Sequence, residues 1–258
     1  MSELAYSELN SVLMSTQIVV LAAGKGTRMG DQPWPKVLAP LKGRPLISYI
    51  LDEIKQLELN QKPIIVVGFM QDKVKQALGE GYLYAVQEQQ LGTGHAVAMA
   101  RSLVSADNLV VLYGDTPFIS AHSLKNLIQA QEVTGDKLSM FTTTVKNFEG
   151  QFKPFEKFGR IIRSQNGDIL KITEYKDCTE EEKKVTELNP GIYCFNSQWL
   201  WDNIVRINKD NAQGEYYLTD LLELAVSQGE RVNSLPINPN EVLGINTWED
   251  HGHAENLL

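Results

Sequence analysis

Ile18-Val19-Val20-Leu21-Ala22-Ala23-Gly24-Lys25-Gly26-Thr27-Arg28-Met29 is the stretch that decides the fold of this chain. It opens with four apolar residues, three of them β-branched, which predicts a buried parallel strand. Gly24 and Gly26 then allow close backbone approach and a positive φ, and successive N–H groups in such a turn form a concavity for anions. Because Lys25 and Arg28 add positive charge beside it, this strand and turn favour binding of a nucleoside triphosphate.

The spacing of the glycines excludes two other phosphate-binding loops. A Walker loop has four residues between its glycines and then Lys and Ser or Thr, whereas only Lys25 separates Gly24 from Gly26. A dinucleotide fingerprint requires a third glycine, and Met29 stands at that place. Taken alone, the stretch leaves open a plain strand-to-helix turn with solvated cations.

The bulk composition sets limits on the class of protein. The chain has 258 residues, enough for a full core, and a formal net charge of −8, which argues against a general nucleic-acid binder. Cys178 and Cys194 lack metal-ligand spacing and favour reduced thiols. We see no apolar run of membrane-spanning length, and the acidic Glu3 and Glu8 argue against a secretory signal. We therefore expect a cytoplasmic protein with neither a membrane nor a nucleic acid as partner.

From Ile18 onward, apolar runs alternate with amphipathic runs. Strands are predicted at 63–68, 83–87, 108–115 and 138–145, and helices at 44–58, 71–78, 95–103 and 120–132. This alternation is typical of βαβ units and predicts an α/β protein with a Rossmann-like, mostly parallel sheet. Ligands bind such sheets beyond the carboxyl ends of the strands, and Gly24-Lys25, Gln87 and Asp115 all fall at such ends.

The pattern changes after residue 146. Short strands at 159–163 and 169–174 flank Asn166-Gly167, a strong hairpin signal. A strand at 191–195 and helices around 199–204 and at 218–228 follow. At the two ends, Leu4, Leu9, Val12 and Leu13 predict one face of a short surface helix, and His251 and His253 are expected in a frayed polar tail rather than as ligands.

Further motifs accompany the glycine-rich turn in a fixed order. They are PKVL (35–38), QEQQLGTGHA (87–96), YGD (113–115), FGRI (158–161), EYKD (174–177) and NAQGEYYLTD (211–220). Together with the turn they resemble the nucleotide-sugar pyrophosphorylases, and in particular the uridylyltransferase half of bacterial bifunctional N-acetylglucosamine-1-phosphate uridylyltransferases. The resemblance covers nearly the whole chain after residue 17.

The resemblance implies the nucleotide-diphospho-sugar transferase fold with a small β-rich sugar-binding part. We expect an N-terminal extension at 1–17 and one nucleotidyltransferase domain at 18–258, with a nucleotide-binding part at 18–146 and a sugar-binding part at 147–258. The implied reaction transfers UMP from UTP to N-acetylglucosamine-1-phosphate or a related N-acetylhexosamine-1-phosphate, releasing pyrophosphate. Such transfers depend on positioning and charge neutralisation more than on covalent help from the protein.

The resemblance also implies roles for the charged residues. Lys25 and Arg28 are candidates for contact with the β- and γ-phosphates, and Lys36 matches a lysine that contacts phosphate in the family. All three are candidates for catalysis. Arginine suits bidentate phosphate contact, whereas lysine acts as a point charge. Asp115 and Asn246 match the two protein ligands of Mg²⁺, a cation that favours one or two protein oxygens with phosphate and water as the rest.

The same resemblance implies which residues bind the nucleotide and which bind the sugar. A side-chain amide such as that of Gln87 can pair with a uracil edge, and carboxylate or amide groups can bind sugar hydroxyls. The expected nucleotide-binding residues are Leu21, Ala22, Ala23, Gly24, Gln87, Gly92, Thr93, Tyr113 and Gly114. The expected sugar-binding residues are Gly159, Glu174 and Asn189. The stretch 211–220 is expected to form a wall of the sugar cleft.

Two departures from the family pattern appear. Pro190 follows Asn189 where the family commonly has threonine, and proline removes an N–H and fixes φ, so an altered sugar pocket is expected. Bifunctional members continue into a left-handed β-helix of hexapeptide repeats, which builds their trimer. We find no such repeat in the 258 residues and therefore expect a monofunctional enzyme without acetyltransferase activity, with its oligomeric state left open.

Two alternative functions stay open. One is the same chemistry on another sugar-1-phosphate, such as glucose-1-phosphate, or with another base. The other is a non-catalytic, regulatory subunit that binds a nucleotide sugar. The second alternative is disfavoured by the presence of Lys25, Arg28, Lys36, Asp115 and Asn246, because a sensor has no need of both metal ligands.

Overall fold

The computed structural model of the chain describes residues 15–257. The helix predicted from Leu4 to Leu13 falls on residues 1–14, outside the described range. The first strand begins at Thr16, two residues before the predicted start at Ile18. Ser15 anchors this start, since its backbone N–H and its hydroxyl both donate to Asp107 Oδ2 at 2.9 Å.

The centre of the molecule is a ten-stranded sheet with the order β5-β4-β1-β6-β11-β7-β10-β8-β9, in which β12 also pairs with β7. A separate two-stranded hairpin is formed by β2 and β3. The strands are β1 Thr16–Ala22, β2 Pro40–Leu41, β3 Arg44–Pro45, β4 Ile64–Val67, β5 Leu83–Val86, β6 Asn108–Tyr113, β7 Leu138–Thr144, β8 Gly159–Arg163, β9 Ile169–Thr173, β10 Glu187–Asn189, β11 Tyr193–Asn196 and β12 Val232–Pro236.

Helices cover both faces of this sheet. They are α1 Leu46–Lys55, α2 Gln71–Leu78, α3 Thr93–Met99, α4 Ala121–Thr134, α5 Ser197–Asn203, α6 Asp220–Ser227 and α7 Trp248–Glu255. The predicted bounds of α2 agree with the structure, and the other predicted helices are found with ends shifted by a few residues. The predicted run 95–103 divides into α3 and a 3₁₀ turn at Arg101–Leu103.

Strands β5, β4, β1 and β6 pair in parallel, with Val20 of β1 beside Ile65 on one side and Leu112 on the other. The predicted α/β class with a mostly parallel central sheet is thereby confirmed. Strand β11 lies antiparallel between β6 and β7, because the chain returns to this place after the hairpin of β8 and β9.

The core lies on both faces of the central strands. All seven residues of β1 are buried, and alternate residues enter different clusters. Val20 and Leu112 pack with α1 and α4 on one face, whereas Val19 and Val111 pack with α3 and α6 on the other. This continuous burial is the reason why the strand is apolar throughout.

The end of the described chain differs from the expectation. The predicted frayed tail is wrong, because α7 is an ordered helix with a capping box between Thr247 and Asp250. His251 is 7% exposed, and its Nε2 lies 2.7 Å from the carbonyl oxygen of Pro40. Apolar periodicity could not reveal this helix, since the side chains that it buries are those of His251 and the small Ala254. Strand β12 was also not predicted.

Within residues 15–257 no helix has both the length and the apolar character needed to cross a bilayer.

Leu112→Ala is expected to lower the free energy of unfolding by about 2–5 kcal/mol, because Leu112 is fully buried in the central strand β6 and the change leaves a cavity. Urea denaturation monitored by circular dichroism measures this loss. Val133→Ala is the matched control, since Val133 is 79% exposed on α4 and its truncation should change the value by less than about 0.5 kcal/mol. Equal losses in both variants would contradict the assignment of the core.

Candidate active site

The cationic turn after β1 is shaped by Gly26. Gly26 adopts φ of +64°, and a Cβ at this position would lie 2.7 Å from Cβ of Lys36. A 3₁₀ turn at Thr27–Met29 follows and leaves Arg28 exposed while Met29 is buried. Gly24 does not need the positive φ that the sequence allowed, and it faces open space. Gly26 is therefore required by its backbone conformation and by the nearby Lys36 side chain, whereas Gly24 has free space around its Cα.

The ammonium group of Lys36 contacts two other predicted site residues, Asp115 and Asn246. Lys36 Nζ donates to Asp115 Oδ2 and, at 2.9 Å, to Asn246 Oδ1. Arg28 Nη2 donates to the same Asn246 oxygen at 2.7 Å. The side chains of Lys36 and Asp115 are only 14% and 15% exposed. The structure thus brings together the predicted catalytic lysine and both predicted metal ligands.

Backbone hydrogen bonds set this arrangement. Gly114 N–H donates to Leu21 O at 3.0 Å, which fixes the end of β6 beside β1. Ile245 N–H donates to Asp115 O at 2.9 Å, so the chain around Asn246 runs alongside Asp115. The carboxylate and the amide are therefore neighbours through main-chain pairing rather than through their side chains alone.

Helix α7 supports the same region from behind. Asp250 Oδ2 accepts the N–H of Asn246 at 3.0 Å as part of the N-terminal cap. Trp248 Nε1 donates to Met29 O at 3.0 Å, next to Arg28. One helix terminus therefore holds both the amide residue and the turn that carries the arginine.

A cavity of about 360 Å³ lies beyond the carboxyl ends of β1, β5 and β6. Its size suits a nucleotide rather than a macromolecule. It is lined by all the predicted nucleotide-binding residues except Gly114, together with Lys25, Lys36 and Asp115: Leu21, Ala22, Ala23, Gly24, Gln87, Gly92, Thr93 and Tyr113. Gly114 lies behind the wall, where a Cβ would press on Val37 and Ile47.

The Gln87 side chain has a fixed orientation in this cavity. Its Nε2 donates to Gly92 O at 3.0 Å and lies 3.0 Å from His95 Nδ1. Donation to a carbonyl oxygen identifies the nitrogen, so the amide oxygen Oε1 is the group left for a ligand. Within residues 15–257 that oxygen has no hydrogen-bond partner.

The segment 211–220 closes the cavity from the side. Tyr216 N–H donates to Leu91 O at 2.8 Å, and Gly94 N–H donates to Tyr216 O at 2.9 Å. A Cβ on Gly92, which has φ of +111°, would lie 2.5 Å from Tyr216 O. The segment was expected to form a wall of the sugar cleft, but its cavity-lining residue among those described is Glu215, which lines the nucleotide cavity.

A second cavity of about 210 Å³ adjoins the first. Asp115 and Tyr113 line both cavities and form the boundary between them. The second cavity contains the three predicted sugar-binding residues and Asn246, and its full lining is Tyr113, Asp115, Thr116, Lys157, Phe158, Gly159, Glu174, Asn189, Pro190, Gly191, Val242, Gly244 and Asn246.

Glu174 is the carboxylate inside the second cavity. Burial raises its pKa, and the nearby carboxylates of Asp177, Asp220 and Glu215 add to this effect. Thr219 Oγ1 lies 3.2 Å from Glu174 Oε1 and stabilises the ionised form. A partly desolvated carboxylate of this kind gains most when hydroxyl donors of a ligand reach it.

Asn189 is tied to its own turn. Its Nδ2 donates to the Tyr193 hydroxyl at 2.7 Å, and its Oδ1 accepts the Gly191 N–H at 3.0 Å. Gly191 has φ of +80°, and a Cβ there would clash with the Tyr113 ring. Pro190 sits between these residues and lines the cavity without an N–H to offer. The turn is thus rigid. Only the second N–H of Asn189 Nδ2 and the second lone pair of its Oδ1 are left for a ligand.

Asp115 Oδ2 and Asn246 Oδ1 converge on the Lys36 ammonium, and one carboxylate with one amide oxygen is a donor set of the kind that Mg²⁺ takes from a protein. Among residues 15–257 no group of three or more His, Cys, Asp or Glu side chains is arranged to hold a metal ion. The sequence-based search did not find several residues of the site. Gln90, Glu215, Thr116 and Lys157 lie inside or next to the quoted motifs, whereas nothing in the sequence pointed to Trp248.

Fold and cavity together are those of a protein that handles a nucleoside triphosphate. The family model of the MobA-like NTP transferase domain matches residues 18–177. The chain therefore belongs to the MobA-like NTP transferase family, which confirms the predicted class of nucleotidyltransferase enzyme.

Comparison with individual curated proteins shows which members of this family the chain resembles. The chain is 41% identical over 231 residues to the bifunctional protein GlmU of Bacillus licheniformis, which covers 88% of this chain and 49% of the relative. It is 39% identical over 248 residues to GlmU of Clostridium novyi, with 95% and 52% covered. It is 40% identical over 243 residues to GlmU of Bacillus subtilis, with 93% and 51% covered. The chain spans about half the length of these relatives.

A solved structure shares the fold. It comes from Bacillus anthracis and is described as a glucose-1-phosphate thymidylyltransferase. The two structures superpose with a TM-score of 0.75 over 94% of this chain and 95% of the other, at 22% sequence identity. At that identity the similarity is one of fold alone.

Asp220→Asn is expected to raise the melting temperature at pH 7.5 and to have a smaller effect at pH 5. Burial, with the carboxylates of Glu223 and Asp177, raises the pKa of Asp220 to about 6. A carboxyl with a raised pKa in the folded state stabilises the fold below its ordinary pKa, and this stability is lost as pH rises through about 6. Thermal unfolding at both pH values measures the difference. The exposed Asp210→Asn serves as control, and an equal shift at both pH values would contradict the prediction.

Proposed function

We propose that the chain transfers UMP from UTP to N-acetylglucosamine-1-phosphate or a related N-acetylhexosamine-1-phosphate, releasing pyrophosphate. The observation that carries the proposal is the meeting of two cavities at Asp115, with the Lys36 ammonium and the Asn246 amide beside it. Two phosphates that must react would meet at such a boundary. The similarity to GlmU and the resemblance of the motifs to its uridylyltransferase half support the choice of nucleotide and sugar.

In this proposal the first part of the chain, 18–146, binds the nucleotide, and 147–258 binds the sugar phosphate. A phosphate oxygen of the acceptor forms a bond to the α-phosphorus of UTP while the bond from that phosphorus to the bridging oxygen of the β-phosphate breaks. The pyrophosphate leaves toward Lys25 and Arg28 on the exposed turn. Lys36 neutralises charge at the reacting phosphates, and no covalent nucleophile of the protein is required.

Asp115 and Asn246 would hold Mg²⁺ at the boundary of the two cavities. When bound, the ion supplies charge neutralisation for the two phosphates that approach each other. Asp115 would provide the anionic oxygen and Asn246 a neutral one, and Arg28 and Lys36, which donate to the amide oxygen in this structure, would turn to the phosphates. On the sugar side, Glu174 accepts hydroxyl groups, while Gly159 and Asn189 line the same cavity.

Recognition of the base follows from the orientation of Gln87. Its free Oε1 can accept the N3–H of uracil, whereas cytosine presents an acceptor at that atom and would leave both groups unpaired. The Gly92 carbonyl holds the amide in this orientation. The pocket therefore favours UTP over CTP, because uracil gains a hydrogen bond to Gln87 Oε1, whereas N3 of cytosine would face that oxygen as a second acceptor.

Asp115→Asn is expected to lower kcat by about 10³-fold, because an anionic ligand of the proposed metal and the partner of Lys36 are lost. Pyrophosphate release over a panel of UTP, CTP and dTTP with N-acetylglucosamine-1-phosphate and glucose-1-phosphate measures activity. Titration calorimetry with Mn²⁺ in the presence of UTP gives a second readout, with weaker binding expected. The exposed Asp72→Asn is the control, and absence of turnover by the unmodified chain with every pair would favour a regulatory nucleotide-sugar binder instead.

Gln87→Leu is expected to raise KM for UTP about tenfold and to reduce the preference for UTP over CTP, since a side chain without an amide oxygen cannot accept from uracil. Initial rates with each nucleotide measure the ratio of kcat/KM. Gln89→Leu, an exposed neighbour outside the cavity, should leave the ratio unchanged. An unchanged ratio in Gln87→Leu would refute the assignment of the base contact.

A further inference from the structure

The segment before β8 places a lysine at the second cavity, which contains the predicted sugar-binding residues and is called the sugar-side cavity below. Residues Gly150–Lys157 form a 3₁₀ helix, and Phe155 fixes it by inserting into the core at 3% exposure. The Phe158 N–H donates to Phe155 O at 3.1 Å and ends the helix. Lys157 is thus the last helical residue, exposed, and one of the residues that line the cavity.

Arg160 clamps the backbone on both sides of Lys157. The Arg160 side chain is fully buried, and it donates from Nη2 to Glu156 O at 2.8 Å and from Nη1 to Phe158 O. Its guanidinium also lies 4.6 Å from the ring centroid of Phe148. Because the carbonyls before and after Lys157 accept from one rigid group, the backbone of Lys157 is held in place toward the cavity.

The charge of Lys157 has no partner in the described part of the chain. Within residues 15–257 no hydrogen bond or ion pair is formed by its ammonium. Lys153 on the same segment differs, because its Nζ pairs with Glu156 Oε2 at 2.7 Å and it does not line the cavity. The backbone of Lys157 is therefore held in place, while its ammonium group has no partner among the described residues.

Among the described residues, Lys157 is the only Lys or Arg that lines the sugar-side cavity. The other charged lining residues are acidic: Asp115 pairs with Lys36, and Glu174 is buried among other carboxylates. Without Lys157, none of the described residues that line this cavity would carry a positive charge. The lysine supplies the positive charge that an anionic sugar derivative needs on entry.

We propose that Lys157 binds the phosphate of the acceptor sugar-1-phosphate and that this contact selects phosphorylated sugars over free sugars. The proposal rests on the proposed function for the identity of the acceptor. Lys157 offers its three N–H donors to the phosphate oxygens as a point charge, while Glu174 remains available for hydroxyls. Lys36, by contrast, stays with Asp115 at the boundary.

Lys157→Met tests this proposal, because it keeps the length of the side chain and removes only the charge. We expect KM for N-acetylglucosamine-1-phosphate to rise about tenfold while KM for UTP and kcat change by less than about twofold. Lys157→Arg should retain the low KM, and Lys153→Met should behave as the unmodified chain does. Raising the salt concentration should increase KM of the unmodified chain more than that of Lys157→Met.

Titration calorimetry with N-acetylglucosamine-1-phosphate and with free N-acetylglucosamine separates this proposal from the proposed function. Weaker binding of the phosphate form in Lys157→Met, with free sugar unaffected, supports the proposal even if no turnover occurs. Turnover with an unchanged KM in Lys157→Met overturns the proposal and leaves the proposed function intact. Absence of binding to the unmodified chain, or an equal effect of Lys153→Met, also overturns it.

Discussion

A lysine ammonium between a carboxylate and an amide oxygen is the interaction on which the rest of this site depends. Lys36 and Asp115 are both largely withdrawn from water, and a charge in that position requires a partner. The stem of Lys36 passes so close to Gly26 that the turn accommodates no side chain there. Asn246 completes the group from the far end of the chain. Position, charge and backbone conformation therefore constrain one another at this point.

Glycine at two places allows the two cavities to share a wall. Gly92 lets the backbone of Tyr216 approach the nucleotide cavity, and Gly191 lets the Tyr113 ring lie against the turn at the sugar side. Burial raises the pKa of the Tyr113 hydroxyl, so it stays protonated beside Asp115 and Glu174. Tyr113 therefore adds no negative charge to the boundary that it shares with Asp115.

Much of this arrangement could be predicted from the sequence, since the apolar run of β1 and the strand ends carrying Gln87 and Asp115 follow from local patterns. The place of β11 between β6 and β7 could not, because sheet order depends on pairing between distant segments. Helix α7 was missed because its stability comes from a cap and from the contact of His251 with Pro40, not from periodicity. The lining role of Lys157 was missed because it depends on the buried Arg160.

The junction of Lys36 with Asn246 joins residues 210 positions apart in the sequence. A chain emerging from the ribosome can pair β1, β4, β5 and β6 long before Asn246 has been synthesised. Most residues that line the first cavity therefore lie in the part of the chain that is made first, whereas Glu215 and the contact of Lys36 with Asn246 are added late. Under the proposed function, the order of synthesis thus assembles most of the nucleotide pocket before the oxygen pair of Asp115 and Asn246 is complete.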